Sequence, residues 1–336
     1  MTWNIVGHEW AAQLLRGHIA RGDVRHAYLF TGPTGVGRRA LALQFAQALN
    51  CQNPPEPGDF CGQCRACRQI AAMQYIDLSV LQSEKEGGTL KIEAVREVTQ
   101  VISLMPYEAN YRVALLLRFQ EASVNSQNAL LKTLEEAPSR VVLMLTADSS
   151  ESLLPTIVSR CEVLRLRPMP LARLSKELEA RGMGSEDAHL LAHLAGGRLG
   201  YAMRLKDDPE RLEQRRVFLE DLMHLLPASR RERFYYIEKN YQDRETLREA
   251  YGVWLSFWRD LMMRSASPEL PLINLDMQEQ IDDLAPKIGF QGARNRVADL
   301  EQGIARLDAS LNARLLTEVL MLNWPRVETM HDRAIE

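Results

Sequence analysis

The stretch GPTGVGRRA, Gly32 to Ala40, follows the short apolar run Ala27 to Phe30 and opens a segment with helix-spaced apolar residues, Ala40, Leu41, Leu43, Ala46 and Leu49. A strand, a glycine turn and a helix start in that order make a nest of backbone N–H groups backed by the helix dipole, a geometry that holds phosphate whatever the side chains. Gly32, Gly35 and Gly37 keep this frame. Hydrolysis asks for more: a lysine on the terminal phosphates and a Ser or Thr hydroxyl on the magnesium ion. Arg38 and Arg39 stand in those two places. Arg38 keeps the charge but is planar and bulkier than lysine, and Arg39 puts a cation where the metal should be. The plain alternative is an ordinary glycine turn before a helix.

The surrounding sequence alternates short apolar strands with amphipathic helical stretches, which implies a parallel sheet flanked by helices. Strands are expected at Ala27 to Thr31, Ile76 to Leu81, Arg112 to Leu117, Val141 to Thr146 and Glu162 to Leu166. Ile92, Val95, Val98, Val101, Ile102 and Met105 share one helical face that Pro106 should end. A second helix is expected over Ser126 to Pro138, with a polar cap near Asn125 and a proline stop after Glu136 and Ala137. RPMP (Arg167 to Pro170) and DDPE (Asp207 to Glu210) read as junctions, and beyond Glu210 the chain is helical, with long stretches at Arg244 to Met263 and Arg294 to Leu322.

The acid that would hold magnesium should end an apolar strand, yet RVALLLRFQEAS (Arg112 to Ser123) carries Leu117 and Arg118 there. Glu121 is the nearest acid and is expected on the following helix. With two halves of the apparatus missing together, no ATP or magnesium turnover is expected from this chain alone. Cys51, Cys61, Cys64 and Cys67 form a C-x9-C-x2-C-x2-C cluster, a pattern that suits four thiolates around one structural zinc ion with no open position; loose thiols or a redox pair are the alternative. Cys161 stands apart and is expected to be a small buried residue. In PTIVSRCEVLRL, the Ser159-Arg160-Cys161 triplet puts Arg160 near a domain surface, where it serves either as a surface ion pair or as an arginine supplied to a neighbour's nucleotide. His8 and His26 show no ligand spacing and are expected to be structural or exposed.

Net charge is −3 with acids and bases interleaved, which excludes a basic nucleic-acid arm or an acidic tail. The start MTWNIVGHEW lacks a signal peptide's basic and apolar blocks, and no apolar run approaches the roughly 20 residues of a membrane span. A cytoplasmic location is therefore expected, where disulfides are rare.

RHAYLFTGPTGVGRRALA, the four-cysteine insertion, NALLKTLEEAP (Asn128 to Pro138), Thr146 after an apolar strand and TIVSRC (Thr156 to Cys161) together resemble the clamp-loader subunits of bacterial DNA polymerase III, an AAA+ family. NALLKTLEEAP followed by TIVSRC is the most specific part. The resemblance covers residues 3–206 well and reaches NARLLTEVLML (Asn312 to Leu322) more weakly. It implies an AAA+ core at 1–167 with the zinc insertion at 51–67, a helical lid at 168–207 and a helical collar at 208–336. The family has motor subunits and a catalytically silent member. Arg38, Arg39, Leu117, Arg118 and Gly200 (in GGRLGYA, where a lid sensor arginine would stand) all depart from the motor pattern. The resemblance then implies a stator in a hetero-pentamer with tau/gamma-type motor subunits and a delta subunit, acting through the complex on a sliding clamp and primer-template DNA. Arg160 would be the finger acting in trans, and Thr146 a sensor remnant. Two rival readings are a divergent ATPase using Arg38 and Glu121, and a zinc-dependent nucleic-acid-binding protein.

Overall fold

The computed structural model describes residues 3–85, 87–136, 138–308 and 312–327. Ala137 of the NALLKTLEEAP motif and residues 309–311 and 328–336 of the expected collar lie outside them. The chain forms two compact units: the described residues up to Pro170 with Gly197–Tyr201, and Leu171–Gly196 with the described residues from Ala202 onward.

The first unit contains five parallel strands: β1 (Ala27–Thr31), β2 (Leu78–Leu81), β3 (Arg112–Leu116), β4 (Val141–Ala147) and β5 (Glu162–Arg165), in spatial order β2-β3-β4-β1-β5. Its helices are α1 (Glu9–Arg21), α2 (Arg38–Asn50), α3 (Arg65–Ala71), α4 (Ile92–Ile102), α5 (Val124–Glu135) and the short α6 (Pro155–Val158). The period-two alternation of a strand sorts side chains to opposite faces. Tyr28, Phe30, Val113, Leu115, Val142 and Met144 pack with Leu15, Leu41, Phe45 and Ile70 of α1, α2 and α3. Ala27, Leu29, Ala114, Leu116, Leu143 and Leu145 pack instead with Val95, Leu130 and Ile157 of α4, α5 and α6. Both faces being covered explains the unbroken apolar strands.

Several expected boundaries move for local reasons. Ile76 is exposed and β2 begins at Leu78. α4 ends at Ile102, short of Pro106, where the Ser103 hydroxyl donates to the Gln100 carbonyl. The cap of α5 is Ser123, whose Oγ accepts the Ser126 N–H at 3.1 Å, so Asn125 falls inside the first turn. Glu121 lies on a single 3-10 turn, Phe119–Glu121, not on a helix.

In the second unit, α7 (Leu171–Ala180) and α8 (Ser185–Leu194) precede α9 (Leu199–Asp207), which begins in the first unit. There follow α10 (Pro209–Leu225), α11 (Arg230–Asn240), α12 (Arg244–Ala266), α13 (Gln278–Asp308) and α14 (Ala313–Leu322). The expected stretch Arg294 to Leu322 is thus divided, because Asn312 caps a new helix by accepting the Leu315 N–H. α13 itself kinks at Gly289, where φ is 70°. Trp254, Phe257 and Trp258 of α12 centre the core, with Trp254 and Trp258 edge-on to Trp324. No helix among the described residues is long and apolar enough to cross a membrane.

Candidate functional site

The loop Gly32–Gly37 leaves the C-terminal end of β1, beside the ends of β4 and β5, the place where open parallel sheets bind ligands. Gly32, Gly35 and Gly37 all have positive φ, at 143°, 86° and 114°. At Gly32 the need is absolute, since a Cβ would come within 2.3 Å of the Leu166 carbonyl oxygen. Below the loop, buried His8 hydrogen-bonds the Val36 carbonyl through Nε2 at 3.0 Å, a structural role; His26 is exposed.

Arg38 at the start of α2 does not point out toward a ligand. It is 7% exposed, its Nη1 pairs with Asp148 Oδ1 at 2.8 Å, and its Nη2 donates to Thr34 Oγ1 at 3.4 Å. Asp148, two residues past Thr146, also accepts from Gln120 Nε2 at 3.0 Å. Arg39 is exposed. The loop is further engaged by the start of α9: the Gly200 N–H donates to the Gly35 carbonyl at 2.9 Å, and a Cβ on Gly200 would lie 2.8 Å from that oxygen. A sensor arginine cannot occupy position 200 in this arrangement.

At the end of β3, Leu117 is buried, and Arg118 takes a left-handed conformation with φ 50°. The Arg118 main-chain N–H donates to Thr146 Oγ1 at 2.9 Å. Its guanidinium binds Glu121 through Nε at 2.9 Å and the Ser83 carbonyl through Nη2 at 3.1 Å. Glu121 also accepts the Ser83 hydroxyl and the Gly87 N–H. The carboxylate is therefore committed to holding the loop after β2. Arg38, Arg118 and Gly200 are thus each engaged by groups of this chain itself: Asp148, Glu121 and the Gly35 carbonyl. Sequence reasoning missed Asp148 and Ser83 as partners; the pairing of Arg38 with Asp148 crosses 110 positions by the numbering and has no local signature.

The four cysteines converge between α2 and α3. Their Sγ atoms all lie within 4.8 Å of one another, and Cys51 and Cys67 are buried. Tetrahedral zinc with Zn–S near 2.3 Å places sulfurs about 3.8 Å apart, so a small contraction would seat the ion. Main-chain N–H groups already point at sulfur: Cys61 to Cys51 at 3.2 Å, Cys64 to Cys61 at 3.3 Å and Cys67 to Cys64 at 3.5 Å. The Cys64 N–H is the main cause that brings the Cys61 thiol down to about 6, whereas burial pushes Cys67 and Cys51 up. Four closely spaced sulfurs with donors aimed at them fit a metal ion. Outside the cluster Trp3 packs edge-on to Phe60, and Gln47 Nε2 holds the Cys67 carbonyl at 2.8 Å.

The Ser159-Arg160-Cys161 triplet follows α6 and precedes β5. Since Tyr28 pairs with Glu162, the triplet sits at the N-terminal end of the sheet. Four residues of strand, about 13 Å at 3.3 Å per residue, separate the level of Tyr28 from the level of Gly32. Arg160 is half-buried, with Nη2 on Glu135 Oε1 at 2.7 Å and Nη1 on the Thr156 carbonyl at 2.9 Å. Cys161 is half-buried, less enclosed than expected, and burial pushes its thiol up to about 12.

A five-stranded parallel sheet in the order 5-1-4-3-2, with a glycine loop leaving the central first strand and helices on both faces, defines an AAA+ core followed by a helical region. The family described as "DNA polymerase III, delta subunit" matches residues 7–170. The chain is 38% identical over 209 residues to DNA polymerase III subunit delta-prime of Pseudomonas aeruginosa, covering 61% of this chain and 63% of that protein. It is 26% identical to the delta-prime subunit of Bacillus subtilis, covering 92% of this chain and 94% of the relative. Against Bacillus subtilis subunit tau it is 24% identical, covering 99% of this chain and 62% of that protein. The chain thus spans less than two thirds of the length of the first of these relatives and of tau. The chain is similar, over these spans, to the delta-prime and tau subunits of DNA polymerase III.

Proposed function

We propose that the chain is the non-hydrolysing, delta-prime-type stator of a cytoplasmic clamp loader. In this reading the helical second unit contributes to a pentameric collar with tau/gamma-type motor subunits and a delta subunit. The first unit holds one end of the motor ring while its neighbours' ATP cycle loads the sliding clamp onto primer-template DNA. The observation that carries the reading is the closed set of contacts at the degenerate loop. Arg38 pairs with Asp148, Arg118 with Glu121, and Gly200 rests on Gly35, so the side chains that would meet Mg·ATP in a motor are turned toward one another. The rival ATPase would use Arg38 and Glu121, both of which are spent in these contacts.

Arg160 supports the other half of the reading. It stands at the opposite end of the sheet from the chain's own loop, so any nucleotide it meets belongs to a neighbour. In that role it stabilises charge on the transferring phosphate, as trans-acting arginines do in related mechanisms with accelerations of roughly 10³ to 10⁵. Zinc bound by Cys51, Cys61, Cys64 and Cys67 is structural here: four thiolates leave no position for substrate.

Two measurements test this. The isolated chain should show no Mg²⁺-dependent ATP hydrolysis; turnover at the rate of a motor subunit would overturn the stator reading. In the reconstituted complex with clamp and primed DNA, Arg160→Ala should lower stimulated ATPase while the complex still assembles. An unchanged rate would return Arg160 to a surface ion pair.

A further inference from the structure

The two most specific motifs of the sequence, NALLKTLEEAP and TIVSRC, meet at one ion pair, Glu135 with Arg160. Glu135 is the last residue of α5, and Arg160 lies just past α6. A guanidinium carries five N–H donors; among the described residues, contacts to Glu135, the Thr156 carbonyl and Ser159 Oγ engage three of them, which leaves two toward an anion. The same helix holds the other end of this segment. Buried Gln127, in the first turn of α5, accepts the Leu154 N–H through Oε1 at 2.9 Å and donates to the Ala122 carbonyl through Nε2 at 3.1 Å. Helix α5 therefore grips residues 154–160 at both ends, once through a buried amide and once through an exposed carboxylate.

We propose that Glu135 is a positioning residue: it fixes the Arg160 guanidinium before a neighbouring subunit's nucleotide arrives. The proposal rests on the trans-acting role of Arg160 given above. A free arginine side chain loses rotamer entropy when it engages a phosphate, and a restraint present beforehand removes part of that cost. The carboxylate also brings an opposing effect, since its charge repels phosphate. The two effects give opposite signs on removal of Glu135, which makes the proposal decidable.

The test uses the full chain reconstituted with its ATP-binding neighbours, clamp and primed DNA, with assembly checked by size-exclusion chromatography. Glu135→Ala should lower kcat for ATP by about two- to fivefold, the scale of an exposed ion pair, with KM for ATP unchanged. Glu135→Gln keeps an acceptor without the charge and should restore most of the rate. In the Arg160→Ala background, Glu135→Ala should change nothing further. A rate at or above wild type for Glu135→Ala, alongside a slow Arg160→Ala, overturns the positioning role and leaves the finger intact. A Glu135→Ala loss that persists without Arg160 overturns it as well. If Arg160→Ala is itself as fast as wild type, the finger reading fails and the positioning role fails with it.

Discussion

Arg38 and Arg118 show how single cations can be set at the end of a sheet without leaving their charge unpaired. Both have a carboxylate within ion-pair distance, Asp148 for Arg38 and Glu121 for Arg118, while Arg39 is exposed. Restoring one residue type should therefore not restore chemistry. The double substitution Arg38→Lys, Arg39→Thr rewrites the loop motif in full, yet Leu117 and Arg118 still supply no metal acid. Phosphate release from the purified double variant should stay at background; Mg²⁺-dependent turnover would show that the loop alone was limiting. At the cysteines, Cys64→Ser should reduce bound zinc measured by atomic absorption and lower the melting temperature, because structural zinc contributes folding energy. Zinc content and melting equal to the parent chain would rule out Cys64 as a ligand. The four cysteines were readable from spacing alone because their ligand geometry is local. Asp148 and Glu135 were not, because what matters about them is a partner brought near by the sheet.

Among the elements, the strands were legible nearly to the residue, since burial on both faces leaves continuous apolar runs that polar turns interrupt sharply. Helix ends were read less well. The choice between Ser123 and Asn125 as the cap of α5 turns on one hydrogen bond, and sequence offers two acceptable caps. The strongest local tie in the sheet was also invisible: Asp77, just before β2, accepts the Tyr107, Glu108 and Ala109 N–H groups and pairs with Arg112 of β3 at 2.8 Å. Burial alone would raise the Asp77 carboxyl, but these donors outweigh it and hold the group below the ordinary carboxylate value. The pair is almost wholly buried, so Asp77→Asn, which leaves Arg112 uncompensated, should cost about 3–5 kcal/mol at neutral pH. A depressed carboxylate contributes stability above its unfolded value, about 3.9, and loses it as pH falls through the lower folded value. Urea midpoints of parent and Asp77→Asn should therefore be far apart at pH 7 and converge in acid. A gap independent of pH would mean that packing, not charge, carries the difference.

For the molecule as a whole, the helical second unit depends on a residue that its sequence presents as one more surface arginine of α11. Arg233 is 2% exposed and donates to five main-chain carbonyls: Leu225, Leu226, Met321, Trp324 and Pro325, at 2.7 to 3.2 Å. These oxygens lie at the C-terminal ends of α10 and α14 and in the segment that follows, groups that a helix cannot satisfy internally and that carry the negative end of its dipole. Burial lowers the Arg233 pKa, with repulsion from Arg326 and Arg230 adding to it, but arginine's high intrinsic value keeps it charged. One guanidinium thereby joins chain segments nearly a hundred positions apart, and amphipathic periodicity gives no hint of it. Lysine has three donors on a single nitrogen and cannot span both helix ends. Arg233→Lys should therefore destabilise nearly as much as Arg233→Met, by at least about 3 kcal/mol, since each buried carbonyl left without a partner costs roughly 1–3 kcal/mol. The measurement is thermal unfolding followed by circular dichroism, with co-purification of the neighbouring subunits as a second readout. If the unit enters a collar through these helices, both variants should lose partners at temperatures where the parent chain retains them. A variant that melts with the parent and still assembles would show that water replaces the guanidinium at little cost, and that the aromatic core around Trp254 and Trp258 suffices to hold the bundle.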